Sequence, residues 1–157
     1  MAEVDFRDMQ PGDLDAVLVM QRAYYGDDGY PYGETSLRRT WGRLLADPEL
    51  GRAWVAEGPD GLVGYLVLTV SFSLEYRGRD AFIDELYLVP SHRGQGLGPR
   101  ALALAEQACR ELGVTALHLE VERANLRAQA LYRRQGYVDH DRFLMTRQIS
   151  DAAAAKL

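Results

Sequence analysis

Three glycines fall within five positions of "VPSHRGQGLGPRAL", at Gly94, Gly96 and Gly98, between a run that reads as a strand and a run that reads as a helix. A helix N-terminus presents unpaired amides and the positive end of the helix dipole, so an anion placed there is stabilised without any charged side chain. Glycine, lacking a Cβ, lets the main chain come close to such a group. The chemistry on offer is phosphate binding, with tight strand-to-helix packing as the plainer use of the same glycines. Spacing argues against two common owners of such a loop. G-x-G-x-G is not the G-x-G-x-x-G of dinucleotide-binding turns, and the Gly-Lys-Ser/Thr of nucleotide P-loops is absent.

The elements that must position this loop are legible from periodicity. Val4 and Phe6 alternate with charges and predict a first strand, while "PGDLDAVLVMQRAYY" carries Leu14, Val17, Leu18 and Met20 at helical spacing. "GETSLRRTWGRLLAD" places Leu37, Trp41, Leu44 and Leu45 on one face of a second helix. "RAWVAE", the turn "GPDG" and "LVGYLVLTVSF" read as a hairpin. "AFIDELYLV" is apolar on both faces, which predicts a central strand. Beyond the glycines, Pro99 to Leu112 form an amphipathic helix, "TALHLEVE" a buried strand, and Asn125 to Gln135 a helix ended by Gly136. "YVDHDRFLMTRQI" supplies one or two closing strands, and the tail, residues 150–157, is expected to fray. Strand, loop, helix and strand from Ala81 to Glu122 make a βαβ unit, whose crossover sets its two strands parallel.

The chain has 157 residues, 47% of them hydrophobic and 26% charged, which fits one soluble α/β domain over residues 1–149. No apolar run is long enough to span a membrane, and "MAEVDFRDMQPGD" has acids where a secretory leader is basic and then apolar, so a cytoplasmic location with no membrane partner is expected. A formal charge of −5 without a sustained basic face argues against nucleic acid and suits a cationic small molecule. The lone Cys109, at helical spacing from Leu102, Ala105 and Leu112, reads as core packing. His92, His118 and His140 have no spacing that suggests a shared metal.

"RGQGLG" resembles the Arg/Gln-x-x-Gly-x-Gly/Ala signature of the GNAT (GCN5-related) N-acetyltransferase superfamily, with Arg93, Gly96 and Gly98 in its fixed positions. "IDELYLVP" resembles the strand before that loop, and "LEVERANLRAQALYRRQGY" the next strand and helix, where Asn125, Ala128 and Tyr132 repeat an N-x-x-A-x-x-x-Y spacing. The resemblance is specific over roughly residues 81 to 137; the first eighty agree in element order alone. Pro99 departs from the commoner residues after the last glycine, but proline suits a first helical turn. The resemblance implies a mixed sheet of six to seven strands flanked by about four helices, around a βαβ core that binds acetyl-CoA. Loop residues Arg93, Gly94, Gln95, Gly96, Leu97, Gly98 and Pro99 would hold its pyrophosphate. Leu86, Tyr87 and Leu88 would bond its pantetheine arm through main chain, and one of their amides would face the thioester oxygen. Asn125 would contact the cofactor and Tyr132 would protonate the departing thiolate, with aromatic packing as the bland use of that ring. Asn125 and Tyr132, seven apart, fall on one helical face.

The reaction so implied is direct attack of an amine on the thioester. The amine needs help to lose its proton, because a lysine-like amine of pKa ~10.4 is only roughly 0.04% neutral at pH 7. The candidate bases are Asp84, Glu85 and Glu120. Strand alternation sends Asp84 and Glu85 to opposite faces unless a bulge intervenes, so one of the pair faces the acceptor. By resemblance to diamine and aminoglycoside acetyltransferases, Asp84 is preferred. Glu120 matches the acid of ribosomal-protein N-terminal acetyltransferases and stays in play. The loop "YYGDDGYPYGE" falls where the family builds its acceptor wall; Tyr25, Asp27, Asp28 and Tyr30, with Glu85, suit an organic cation, and a solvated loop with aromatic anchors is the alternative. The implied function is N-acetylation of a small amine such as a polyamine, aminoglycoside or amino-acid-like amine, with a homodimer as an allowed state. Rival readings are acetylation of a protein N-terminus or lysine, and a non-catalytic module that binds acyl-CoA.

Overall fold

A computed structural model describes residues 3–150, in the order β1 (Asp5–Asp8), α1 (Leu14–Asp28), α2 (Glu34–Ala46), β2 (Gly51–Gly58), β3 (Gly61–Ser73), β4 (Gly78–Leu88), α3 (Leu97–Glu111), β5 (Ala116–Leu119) and α4 (Leu126–Arg134). Short 3-10 turns, Pro11–Asp13 and Pro90–His92, lead into α1 and the glycine loop. The strands form one sheet in sequence order. β1 to β4 pair antiparallel, and β4 with β5 parallel, as a βαβ crossover requires.

Both faces of the sheet are covered, which explains why β3 is apolar along its length rather than alternating. Tyr65 and Val67 turn to one face with Val55 and Tyr87, where Val17, Leu18 and Met20 of α1 and Trp41 of α2 pack. Leu66 and Leu68 turn to the other with Ala81 and Ile83, against Ala101, Leu102, Ala105, Ala108 and Cys109 of α3. Cys109 is thus a core residue of α3.

Two helix boundaries differ in a way that matters. α3 begins at Leu97 rather than Pro99, so Gly98 and Pro99 lie in its first turn. α1 extends to Asp28, so Tyr24, Tyr25, Asp27 and Asp28 sit on its last turns and the loop shrinks to Gly29–Gly33. Gly29 ends α1 in the left-handed region, at φ 71.

The sheet has five strands rather than six or seven among the described residues. The closing strands expected in "YVDHDRFLMTRQI" are irregular chain with a bend at Asp141 and no ladder. Alternation states what a segment would bury if it paired, not that an edge receives it. Here side chains do the anchoring: Arg133 bonds Asp139 at 2.6 Å and Arg142 bonds Glu75 at 3.0 Å. The tail expected to fray lies, apart from Ser150, outside the described residues.

Candidate active site

The glycine loop turns sharply into α3. Gly94 and Gly96 both adopt positive φ, 76 and 82, which side chains rarely tolerate. Gly96 caps α3, and a Cβ there would meet nothing within 4 Å, so the main chain faces open space at the start of the helix. No acidic residue stands in the first turn of α3 to compete with an incoming anion. The loop residues are not equivalent. A Cβ on Gly98 would sit 3.1 Å from Leu131, so this glycine lets α4 pack on α3. Leu97 is buried against Val4, Ala56 and Val63. Gln95 donates to the Ser91 carbonyl, and Arg93 donates to the Leu88 carbonyl at 2.8 Å with its guanidinium 5.4 Å from the Tyr87 ring. The sequence reading missed Arg127 of α4, whose Nη2 lies 2.9 Å from the position a Gly94 Cβ would take. A basic residue in the turn after Asn125 was the available signal.

Beside this loop the sheet opens. β5 pairs with β4 only from Asp80↔Ala116 to Ile83↔Leu119, whereas β4 runs on to Leu88. The strands part where the β3–β4 register slips, Val67 facing Glu85 and Leu68 facing Ile83, so Asp84 is the extra residue of a bulge. Main chain from Glu85 to Leu88 is therefore paired with β3 on one side and free of β5 on the other, which suits an extended arm bonded through backbone.

The bulge is the exception that strand alternation allowed for Asp84 and Glu85. Ile83 and Leu86, three apart, both pack towards α3, and the residues between them escape strict alternation. Glu85 takes the α1 side. Its carboxylate accepts from Gln21 at 3.0 and 3.1 Å, from Tyr25 at 3.0 Å and from Tyr65 at 2.8 Å. Gln21 is oriented in turn by Trp41, which donates to its Oε1 at 2.9 Å and leaves the amide nitrogen for Glu85. Burial holds the Glu85 carboxyl above its ordinary 4.5 despite the hydroxyl donors, and the charge of Asp84 adds to the rise. Asp84 is exposed, and its charge also helps raise Tyr25. Both acids thus act on the Tyr25 hydroxyl.

Tyrosines wall the Glu85 pocket. Tyr24 meets Tyr25, Tyr30 and Tyr87 at ring distances of 5.6 to 6.0 Å, and Tyr25 meets Tyr30 at 5.7 Å. Tyr30 donates to Glu122 across the opening at 3.0 Å; burial, with Glu122, Asp28 and Glu120, pushes its hydroxyl up to about 12. Asp28 and Glu120 are thus close enough to act on the Tyr30 hydroxyl. Asp27 is exposed and forms no hydrogen bond or ion pair among the described residues. Gln21, Tyr24, Tyr65 and Glu122 are pocket residues that the sequence reading did not single out.

Tyr132 is half-buried on α4 against Tyr137, 5.9 Å away. Burial alone raises its hydroxyl above 10.0, and Tyr24 lies close enough to feel the charges of both Glu85 and Tyr132. Asn125 is the N-cap of α4 rather than a residue within it; its Oδ1 accepts from the Ala128 amide at 3.1 Å. The remaining histidine of interest, His118 on β5, bonds the buried Asp80 at 3.1 Å, away from the opening.

Known proteins share this fold. The chain is 32% identical over 78 residues to thialysine N-epsilon-acetyltransferase of Bos taurus, covering 50% of this chain and 45% of that protein, so it spans under half of that relative's length. Among solved structures, an integron cassette protein from the mobile metagenome of a salt marsh superposes with a TM-score of 0.82 at 32% identity, over 92% of this chain and 90% of that one. A predicted acetyltransferase of Clostridium acetobutylicum, solved with acetyl-CoA, superposes with a TM-score of 0.79 at 18% identity, over 92% and 96% of the two chains. Residues 15–137 match the Acetyltransferase (GNAT) family, from α1 through the glycine loop to the end of α4, and the chain belongs to that family.

Proposed function

We infer that the protein is an acetyl-CoA-dependent N-acetyltransferase acting on the primary amine of a small cationic molecule, and that residues 1–149 act as one cytoplasmic domain in doing so. The observation that carries this reading is the Glu85 carboxylate, held by Gln21, Tyr25 and Tyr65 next to a tyrosine wall on whose hydroxyls Asp28, Asp84, Glu120 and Glu122 act. Carboxylates and ring faces together recognise an organic cation. The names of related proteins, thialysine N-epsilon-acetyltransferase among them, are consistent with an amine acceptor.

Acetyl-CoA supplies the activated acetyl thioester, and the residues present fit it. The Gly96 main chain, in open space at the start of α3, and the amides that follow it receive its phosphates, with Arg127 beside the loop at Gly94. The free edge of β4 at Leu86 to Leu88 aligns the arm, and an amide there faces the thioester oxygen. Asp84, open to water at the bulge, takes the proton of the acceptor ammonium directly or through a water, and Glu85 fixes the cation. Tyr132 keeps its proton at neutral pH and gives it to the departing sulfur. Attack is direct: Cys109, the chain's only cysteine, is buried among the core residues of α3.

Thiol release from acetyl-CoA across a panel of diamines, aminoglycosides, amino acids and N-terminal peptides tests the reading. Release with small amines carrying two or more positive charges is the expected result. Turnover of peptides alone would move the acceptor to a protein and the base to Glu120. CoA binding without release for any amine would make the chain a non-catalytic acyl-CoA module.

A further inference from the structure

The protein itself occupies the hydrogen-bonding sites of the Glu85 carboxylate. Oε1 accepts from the Gln21 amide at 3.1 Å and from the Tyr65 hydroxyl at 2.8 Å; Oε2 accepts from the same amide at 3.0 Å and from the Tyr25 hydroxyl at 3.0 Å. An ionised carboxylate has about four lone-pair sites, and these contacts use them. Every donor is neutral, so the hydrogen-bonding capacity is filled while the charge is left uncompensated. The donors are also fixed. Tyr65 is fully buried and Gln21 is 1% exposed. The Gln21 amide cannot turn its nitrogen away from Glu85 without leaving the buried Trp41 N–H, now 2.9 Å from Gln21 Oε1, without an acceptor. An incoming ammonium therefore meets a negative charge with no lone pair left for its N–H.

Tyr25, one of those donors, also stands in a corner of rings. Tyr24, Tyr25 and Tyr30 meet pairwise at 5.6, 5.7 and 6.0 Å, with their planes at 71°, 79° and 75° to one another. They form three walls set close to right angles, and each is half-buried, so part of each ring reaches solvent. The Tyr25 hydroxyl is turned to Glu85 and the Tyr30 hydroxyl to Glu122, at 3.0 Å in both cases. Both hydroxyls being engaged, the corner attracts a cation through its rings, which require no N–H from it.

We propose that the Tyr24–Tyr25–Tyr30 corner, backed by Glu85, binds an alkylated ammonium, with methyl groups in place of N–H, as the part of the acceptor that is held rather than acetylated. The proposal rests on the amine-acceptor reading above and narrows it. Methyl groups gain apolar contact with the rings, whereas a primary ammonium entering the same corner gives up hydrogen bonds to water that neither the rings nor Glu85 replace. The corner thus reads charge and bulk rather than N–H.

Calorimetry on the CoA-bound protein, in which no acetyl group is present to transfer, tests the site with three probes that differ in the head group: choline, ethanolamine and dimethylbutanol, the uncharged carbon isostere of choline. Choline should bind at least as tightly as ethanolamine and on the order of tenfold more tightly than dimethylbutanol. Glu85→Gln should bring choline and dimethylbutanol together. Tyr25→Phe keeps the ring and frees a lone pair on Glu85, so ethanolamine should gain several-fold while choline stays as it was. Ethanolamine binding on the order of tenfold more tightly than choline to the wild type would mean that Glu85 takes N–H from the acceptor, and would overturn the proposal. So would choline that binds no better than its isostere, or not at all. Thiol release from acetyl-CoA separates this inference from the reading beneath it. With aminopropyl trimethylammonium and diaminopropane as acceptors, the two KM values should agree within about threefold. Choline binding without release for any amine would sink the acetyltransferase reading alone, and release with diaminopropane but not with the trimethylammonium amine would sink the corner alone.

Discussion

The glycine turn and the Glu85 pocket meet at β4 but are made of different material. The turn is contiguous, Arg93 to Gly98, and offers main-chain amides; Gly96 has φ 82 and nothing within 4 Å of where a side chain would start. The pocket is assembled from side chains 64, 60 and 20 positions apart, which converge on one carboxylate. The first should fail when backbone conformation changes, the second when a charge or a donor changes. Cofactor affinity and acceptor choice should therefore be separable by mutation.

The largest effect is expected at the turn. Gly96→Val meets no steric contact, so the cost to folding is that of a side chain at φ 82, about 1–2 kcal/mol, and the protein should still fold. CoA should raise the melting temperature of the wild type by mass action and leave this variant unmoved. An equal shift in both would move the phosphates elsewhere. Tyr132→Phe, which keeps the ring packed against Tyr137, should retain CoA affinity and lose on the order of a hundredfold in kcat; an unchanged rate would make water the acid.

Asp84→Asn comes next, with a loss of on the order of tenfold to a hundredfold near pH 7 and partial recovery as rising pH deprotonates free amine. A loss confined to KM and spread over all pH values would make Asp84 an anchor instead. The smallest effect is on stability. Because burial raises the folded-state pKa of Glu85 above 4.5, its contribution is fully present below that value and is lost as pH rises through the folded pKa. Relative to wild type, Glu85→Gln should gain a few degrees of melting temperature between pH 4 and pH 7. A difference that stays constant across that range would mean the carboxyl is not perturbed.

Legibility in the sequence followed the same divide. The βαβ unit, the central β4 and the hairpin at "GPDG" are local matters of period and backbone, and they stand where the pattern put them. Gln21 and Tyr65 were invisible as site residues, since the one looks like a polar point on α1 and the other like core; only packing brings them to Glu85. Alternation left Asp84 and Glu85 open because the bulge it allowed for depends on the register with β3. The last strands were misread for a related reason: the pattern after Gly136 is strand-like, but pairing needs an edge.

The most direct measurement of that separation pairs CoA affinity with acceptor KM in Glu85→Gln. CoA should bind as tightly as to wild type, while KM for a diamine rises by on the order of tenfold, more than KM for a monoamine, because Glu85 reads charge in the acceptor alone. Weakened CoA binding, or equal losses for both amines, would contradict a pocket that selects the cation independently of the turn.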